Sequence, residues 1–315
     1  MDNAREAFAI NILYGGAKLD RNLVKVTNHF YDLESKGVYI IDMEWCDFNM
    51  DEYISKQLST ATSKNLHEAS GLSHPKGDWN NWDVMEQVSG GVEFIHDRNL
   101  VHRDLKPRNS MAMITVANLI VLFSQRDGCW KITDFGLTTK GTSSEAEPCP
   151  DGYGSPGYRA PEVIRQLSFT NTVDIWALGC ILFELATKGK KAFKSDSYVL
   201  EYSAASAPPL ESVLTLTDLD EDLCDMLKRM LKIAGSERPP AITLRRDFAI
   251  NSWRDIGDRL RKEGNLDGSI KAYQKGLTRH RTCGPLWERL GEAKEQHFQS
   301  QVHSLKLHSS LGISC

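Results

Sequence analysis

His102-Arg103-Asp104-Leu105-Lys106-Pro107-Arg108-Asn109 is the stretch that decides the fold of this 315-residue chain. It follows Trp82 to Arg98, where Trp82, Met85, Val88, Val92, Phe94 and Ile95 recur at helical spacing. That pattern predicts an amphipathic helix with a broad buried face. Downstream, Asp134-Phe135-Gly136 follows a predicted strand, Cys129 to Thr133. Ala160-Pro161-Glu162 closes a Gly-, Ser- and Pro-rich stretch, 141–161, that must be irregular. Asp174-Ile175-Trp176-Ala177-Leu178-Gly179 lies within Thr172 to Ala186, a run apolar on all sides. Such a helix belongs in a domain core. Upstream, 37–46 reads as a buried strand leaving into a connector, Phe48 to Gln57 as a short helix, and 58–80 as a polar surface loop. Leu219 to Ile233 predicts a further amphipathic helix, interrupted at Glu237-Arg238-Pro239-Pro240. Any one of these tripeptides recurs by chance. Their order and spacing together are specific.

That order resembles the protein-kinase family, whose signature is HRDLxxxxN, DFG and APE, with a buried DxWxxG helix after them. The resemblance covers roughly residues 19–247. It implies ATP and Mg²⁺ as cofactors and a protein hydroxyl as substrate. Phosphoryl transfer is mostly positioning and charge neutralisation. In this family's terms Asp104 orients or accepts the proton of the substrate hydroxyl, and Asn109 and Asp134 present oxygen to Mg²⁺. Lys106 reaches the transferring phosphate, and its place in DLKPxN resembles the Ser/Thr branch. Ser155 stands where the family usually has Thr and would bridge Asp104 and Lys106. Arg238 stands where the family pairs an arginine with the APE glutamate, here Glu162. Asp174, Glu162 and Arg238 read as structural, and His102 as a packing residue. Arg103 implies activation by a phosphate in the loop, with Thr142, Ser143 and Ser144 as acceptors.

The small lobe departs from the family. No GxGxxG loop and no VAIK-like lysine can be found; Gly15-Gly16 lacks the spacing, and Lys18 falls too late, just before Asn22-Leu23-Val24. Glu6 is a loose fit to the helix glutamate. The strand Val38–Met43 remains, with Met43 resembling the gatekeeper and Glu44-Trp45-Cys46 the hinge that meets adenine through backbone groups. An incomplete reading of the gene and a non-catalytic pseudokinase both account for the missing strands. The first is preferred, because the large-lobe set of Asp104, Lys106, Asn109 and Asp134 is whole. Ser110 to Ile120 separates Asn109 from Val121-Leu122-Phe123, where the family has none; joining Asn109 to Val121 restores a family-like spacing. These residues read as foreign to the working enzyme, most simply an intron read through; the alternative is a real insertion that bulges outward.

Beyond residue 247 a new pattern starts. Trp253-Arg-Asp-Ile256-Gly257 recurs as Trp287-Glu-Arg-Leu290-Gly291, 34 residues on. Tyr273 and Gly276 lie between. This resembles a tetratricopeptide repeat, with Ser269 and Gly276 where Ala is usual and Arg281 in place of the terminal Pro. Residues 253–293 therefore predict antiparallel helices for protein contact.

Composition sets the outer bounds. The chain is 41% apolar and 25% charged, enough for a sizeable core. A net charge of −4 argues against a general nucleic-acid or membrane-surface binder. The longest apolar run, from Ala112 to Phe123, is too short to span a bilayer core of about 30 Å. Seven scattered cysteines without a CxxC pair, and no leader-like start, predict a cytoplasmic or nuclear protein.

The expected fold is α+β: a bilobal kinase-like domain over 1–247 with a truncated small lobe, hinge near 44–47 and a mainly helical large lobe. A helical-repeat tail over 248–297 and a disordered end over 298–315 complete it. The expected function is a protein serine/threonine kinase; the alternative is an inactive pseudokinase acting as a scaffold. A small-molecule kinase is disfavoured by APE and DxWxxG. Partners are a protein substrate and a protein docked on the tail.

Overall fold

The computed structural model describes residues 3–16, 19–32, 38–55, 80–107, 120–149, 153–204, 210 and 219–310. The chain divides into two compact units, Met1–Arg245 and Arg246–Cys315.

The first unit opens with helix α1 (Asn3–Tyr14) and an antiparallel pair, β1 (Val26–Asp32) and β2 (Val38–Met43). Strand β2 lies where its apolar run places it, but it is not the buried strand expected: none of its residues is buried and Val38 and Met43 are exposed, because it pairs only with β1 among the described residues. Strand β1 was not foreseen: Val-Thr-Asn-His-Phe-Tyr-Asp has no clean alternation, and only the ladder to β2 defines it. Between α1 and β1, Asn22 to Val24 docks alongside a later strand. The Asn22 side chain donates to the Trp130 carbonyl at 2.8 Å, and Ile132 N–H donates to the Asn22 carbonyl at 2.8 Å.

The predicted helix at Phe48 starts later than expected. Phe48–Asn49 forms a short strand, β3, and the helical turns run over 50–55. The cause is local. Asn49 Oδ1 accepts from Glu52 N–H and Glu52 Oε2 accepts from Asn49 N–H, both at 3.0 Å, a reciprocal cap that fixes the start. Residues 56–79, holding most of the expected surface loop, lie outside the described residues.

Helix α2 (Asn81–His96) is capped by Asn80, whose Oδ1 accepts from Asp83 N–H at 2.8 Å. Its apolar face is buried as the spacing predicts. Strand β4 (Leu100–Val101) follows. Then β5 (Val121–Ser124) and β6 (Cys129–Ile132) form a hairpin that joins β3 in the order β3-β5-β6. Trp130 anchors this sheet, its ring 5.3–5.8 Å from those of Phe48, Tyr53 and Phe123. Strand β7 (Thr139–Lys140) pairs back onto β4.

After a largely irregular stretch come α3 (Pro161–Ile164) and α4 (Thr172–Ala186), the latter buried along all but its last residue. Helices α5 (Asp196–Tyr202) and α6 (Glu221–Met230) complete the unit's helical side. Asp220 caps α6 through Leu223 N–H at 2.9 Å, which shortens the predicted Leu219–Ile233 helix. Helix α7 (Ala241–Lys262) contains the division between the units.

The second unit adds α8 (Leu266–Arg279) and α9 (Gly284–Ser310). Tyr273, Leu277, Leu286, Leu290 and Ala293 form its core. The end expected to be disordered is helical through Ser310, because no Gly or Pro breaks the sequence between Ala293 and Gly312. Residues 311–315 lie outside the described ones. Among the described residues no helix is long and apolar enough to cross a membrane.

Candidate active site

Strands β4 and β7 pair through Leu100–Lys140 and Val101–Thr139, holding the loop 102–107 that follows β4 against the chain leaving Phe135. Asp174, in the first turn of α4, is 1% exposed and braces that loop from below. Its carboxylate accepts from His102 N–H and Arg103 N–H at 2.8 Å each, and sits 2.9 Å from His96 Nε2. Burial works to raise its pKa, yet these partners, His96 foremost, hold it below the usual range. The brace keeps Arg103 at φ +73°, a conformation that L-residues adopt at a cost of about 1–3 kcal/mol. His102 is fully buried, with Nε2 3.0 Å from the Thr133 carbonyl and its ring edge-on to Phe135, as a packing residue should be.

The braced loop delivers Asp104 and Lys106 to Ser155. Asp104 Oδ1 accepts from Ser155 Oγ at 2.7 Å and Oδ2 from Lys106 Nζ at 2.7 Å. Lys106 Nζ also donates to Ser155 Oγ, closing a triangle. Gly154 makes the approach of Ser155 feasible. At φ +105° a Cβ there would sit 2.7 Å from the Arg103 carbonyl oxygen. The three residues expected to act together are therefore in direct contact, and Lys106 is 3% exposed.

Asp134 follows β6 with φ +62°. Burial pushes its carboxyl above the usual range; Asp104 adds to this, while His102, the Gly136 N–H and Lys106 oppose it. Its hydrogen bond from Gly136 N–H is long, 3.4 Å, so the carboxylate keeps acceptor capacity of the hard-oxygen kind that Mg²⁺ takes. Helix α1 brings Glu6 to the same place: a Cβ on Gly136 would lie 3.9 Å from Glu6 Oε2. Burial, and then the Asp134 charge, push the Glu6 pKa up to about 7. No cation contacts Glu6 among the described residues. Asn109 and Lys18 lie outside them, as do residues 110–119. The residue immediately before β5 is Ile120, fully buried, its carbonyl accepting from Thr133 N–H at 3.0 Å.

At the expected hinge, the Met43 sulfur lies 3.8 Å from Thr133 Oγ1. Glu44 N–H donates to the Lys25 carbonyl, and Glu44 Oε1 accepts from Lys25 N–H at 2.7 Å and from Lys131 Nζ at 2.6 Å. Lys131 was missed by reading the sequence. It sits in β6 as one more strand residue, but it is 4% exposed and also bonds Asp127 at 2.5 Å, tying the hinge to the β5–β6 turn. Burial, then Glu44, push the Cys46 thiol up to about 12. Trp45 between them is 78% exposed.

Two expected structural partners meet. Arg238 donates to Glu162 at 2.6 and 2.9 Å and spends its remaining N–H groups on the carbonyls of Thr172, Lys232 and Ile233. The Arg103 guanidinium lies 5.0 Å from the Tyr153 ring and 4.9 Å from the Phe169 ring. The expected phosphate acceptors fold on themselves, with Thr142 Oγ1 accepting from Glu145 N–H at 2.9 Å and Ser144 N–H at 3.3 Å.

A buried brace, a lysine–aspartate–serine triangle and a second acid, Asp134, ahead of Phe135-Gly136 are the arrangement of a protein-kinase large lobe. The protein kinase domain model matches residues 17–247, and the chain belongs to the protein kinase family. It is 30% identical to mouse serine/threonine-protein kinase Nek3 over 214 residues, 67% of this chain and 36% of that protein. It is 30% identical to the worm (Caenorhabditis elegans) serine/threonine-protein kinase plk-1 over 232 residues, 72% of this chain and 29% of that one. Human serine/threonine-protein kinase ULK3 matches at 33% over 177 residues, 55% of this chain and 33% of that protein. The chain thus spans about a third of the length of these relatives.

Proposed function

We propose that this chain is the catalytic domain of a protein serine/threonine kinase, transferring the γ-phosphate of ATP to protein hydroxyls. The observation that carries this reading is the contact triangle of Asp104, Lys106 and Ser155. In it Asp104 orients the attacking hydroxyl and takes its proton. Lys106 neutralises charge on the transferring group, and Ser155 keeps both in register. Asp134, with Asn109, would hold Mg²⁺, which supplies charge neutralisation at the phosphates when bound. The backbone of Glu44 and Cys46, beside Met43, would take adenine. The kinase domain would run over 1–247. The tail, over 248–297, would be a tetratricopeptide-like contact module, and the protein would work in the cytoplasm or nucleus.

A second reading is favoured by one observation. Glu6 lies beside Asp134 and no cation contacts Glu6 among the described residues, so its carboxyl is left to burial and the Asp134 charge. A non-catalytic scaffold tolerates that; an efficient enzyme does not. The test is transfer of radiolabelled phosphate from Mg-ATP to serine- and threonine-containing peptides, alongside calorimetric ATP binding. The expected rate is far below the family's usual range of about 1–100 s⁻¹. Asp104→Asn should abolish it while leaving ATP affinity unchanged. Transfer by Asp104→Asn equal to the parent would overturn the assignment, and ATP binding without transfer would favour the scaffold.

A further inference from the structure

The second unit uses one motif to seat a helix and repeats it on a bare face. In α7, Trp253, Gly257 and Asp258 receive α8. A Cβ on Gly257 would sit 2.2 Å from Tyr273 Cε1, so the tyrosine ring lies directly on the glycine backbone. The Tyr273 hydroxyl donates to Asp258 at 2.6 Å. Lys275 places its ammonium 5.5 Å from the Trp253 ring, and Gly276 lets the Trp253 Cβ approach to 2.9 Å of where its own Cβ would be. Thirty-four residues on, Trp287, Gly291 and Glu292 stand in the same order on α9. Here, among the described residues, nothing lies within 4 Å of a Cβ built on Gly291. Trp287 is 53% exposed, and Phe298, on the same helical face at i+7 from Gly291, is 66% exposed. The opposite face of α9 carries the buried Leu286, Leu290 and Ala293.

We propose that this outer face of α9 is a docking seat for an amphipathic helix of another polypeptide, built like α8. Its aromatic ring lies on Gly291 with the hydroxyl at Glu292. A lysine two residues further on covers Trp287, and a small residue next to it admits the indole. Glu292 already accepts from Arg261 at 2.6 Å and Arg289 at 3.3 Å, and a carboxylate has room for a third donor. The apolar remainder of the face, Phe298, lengthens the contact beyond the seat. This rests on reading the tail as a contact element and is independent of phosphoryl transfer.

The probe is a labelled peptide with the sequence of residues 264–280, titrated into the full chain and followed by fluorescence anisotropy. Saturable one-to-one binding is expected. Gly291→Leu fills the seat without a clash, since the space is open, and should weaken binding by at least about tenfold. Its melting temperature should stay equal or rise, because leucine is the better helix former. Replacing the peptide's tyrosine by alanine should weaken binding comparably. Absence of binding overturns the proposal. So does binding indifferent to Gly291→Leu, which would mean the peptide exchanges with α8. Gly291-dependent self-association of the chain without peptide binding would also overturn it, assigning the face to a second copy.

Discussion

Asp174 is withdrawn from water and still held ionised, so its contribution to stability depends on pH in a definite direction. Its folded pKa lies below the ordinary value of 3.8. The folded state therefore gains from ionisation at all pH above that value and loses the gain as pH falls through the depressed one. Asp174→Asn should cost about 3 kcal/mol at pH 7, since an amide cannot accept from three donors at once. Urea unfolding of parent and variant should show that gap at pH 7 and a narrower one at pH 2.5; a gap independent of pH would mean the carboxylate is not ionised. Ser269 makes the opposite case. Its hydroxyl is buried with no hydrogen-bond partner among the described residues, where the repeat pattern has alanine. Ser269→Ala should stabilise the second unit by about 1 kcal/mol, read as a raised melting temperature. At this scale the sequence pointed to Asp104, Lys106 and Ser155, which do meet, because the family's motif restricts the residue types at those places. It did not show Arg103 between two rings or Glu6 against Asp134, which depend on the approach of segments far apart in the chain.

Among elements, the expected hinge is held by a side chain from another strand. Lys131 reaches Glu44 from β6, and burial of its ammonium means that both carboxylates, Glu44 and Asp127, balance a charge largely removed from water. Lys131→Met should cost about 3 kcal/mol and speed amide exchange at Glu44 and Asp47, while Lys131→Arg should lose less. Unchanged exchange in Lys131→Met would show that the backbone bonds to Lys25 and Phe123 suffice. Elements with a strong apolar period or run, α2 by its period and β2 and α4 by continuous apolar runs, were legible from sequence. Strand β1 was not, because partnership with β2 rather than its own pattern makes it a strand. The start at 50–55 was displaced by a two-residue cap, and α9 ran on because a polar helix needs no apolar period to continue.

For the whole molecule, the order of motifs fixed the family, and the segment between Asn109 and Val121 is where that order is stretched. Ile120 fills the position before β5 and has no side-chain oxygen to offer a metal. Deleting 110–120 would bring Asn109 to that position; deleting 110–119 would keep Ile120 there. Both variants should fold, with β5 paired to β6 as before. Only the first should gain Mg²⁺-dependent ATP affinity, by about tenfold or more in calorimetry. Equal affinities in the two would show that the residue before β5 does not matter to the metal.

Trp45 turns the hinge into a light source that can be watched. Of the chain's seven tryptophans, Trp82, Trp130 and Trp176 are shielded in the core, whereas Trp45 stands in water. Its emission should be red-shifted and open to a soluble quencher such as acrylamide, and a purine arriving at Glu44 and Cys46, as proposed, should change both. Trp287 is the other well-exposed indole among the described residues, 53% against 78% for Trp45. With Trp287 and Trp79, the latter outside the described residues, both replaced by phenylalanine, the quencher-accessible signal should belong mainly to Trp45, and nucleotide arrival could be timed in a stopped-flow cell without attaching a dye.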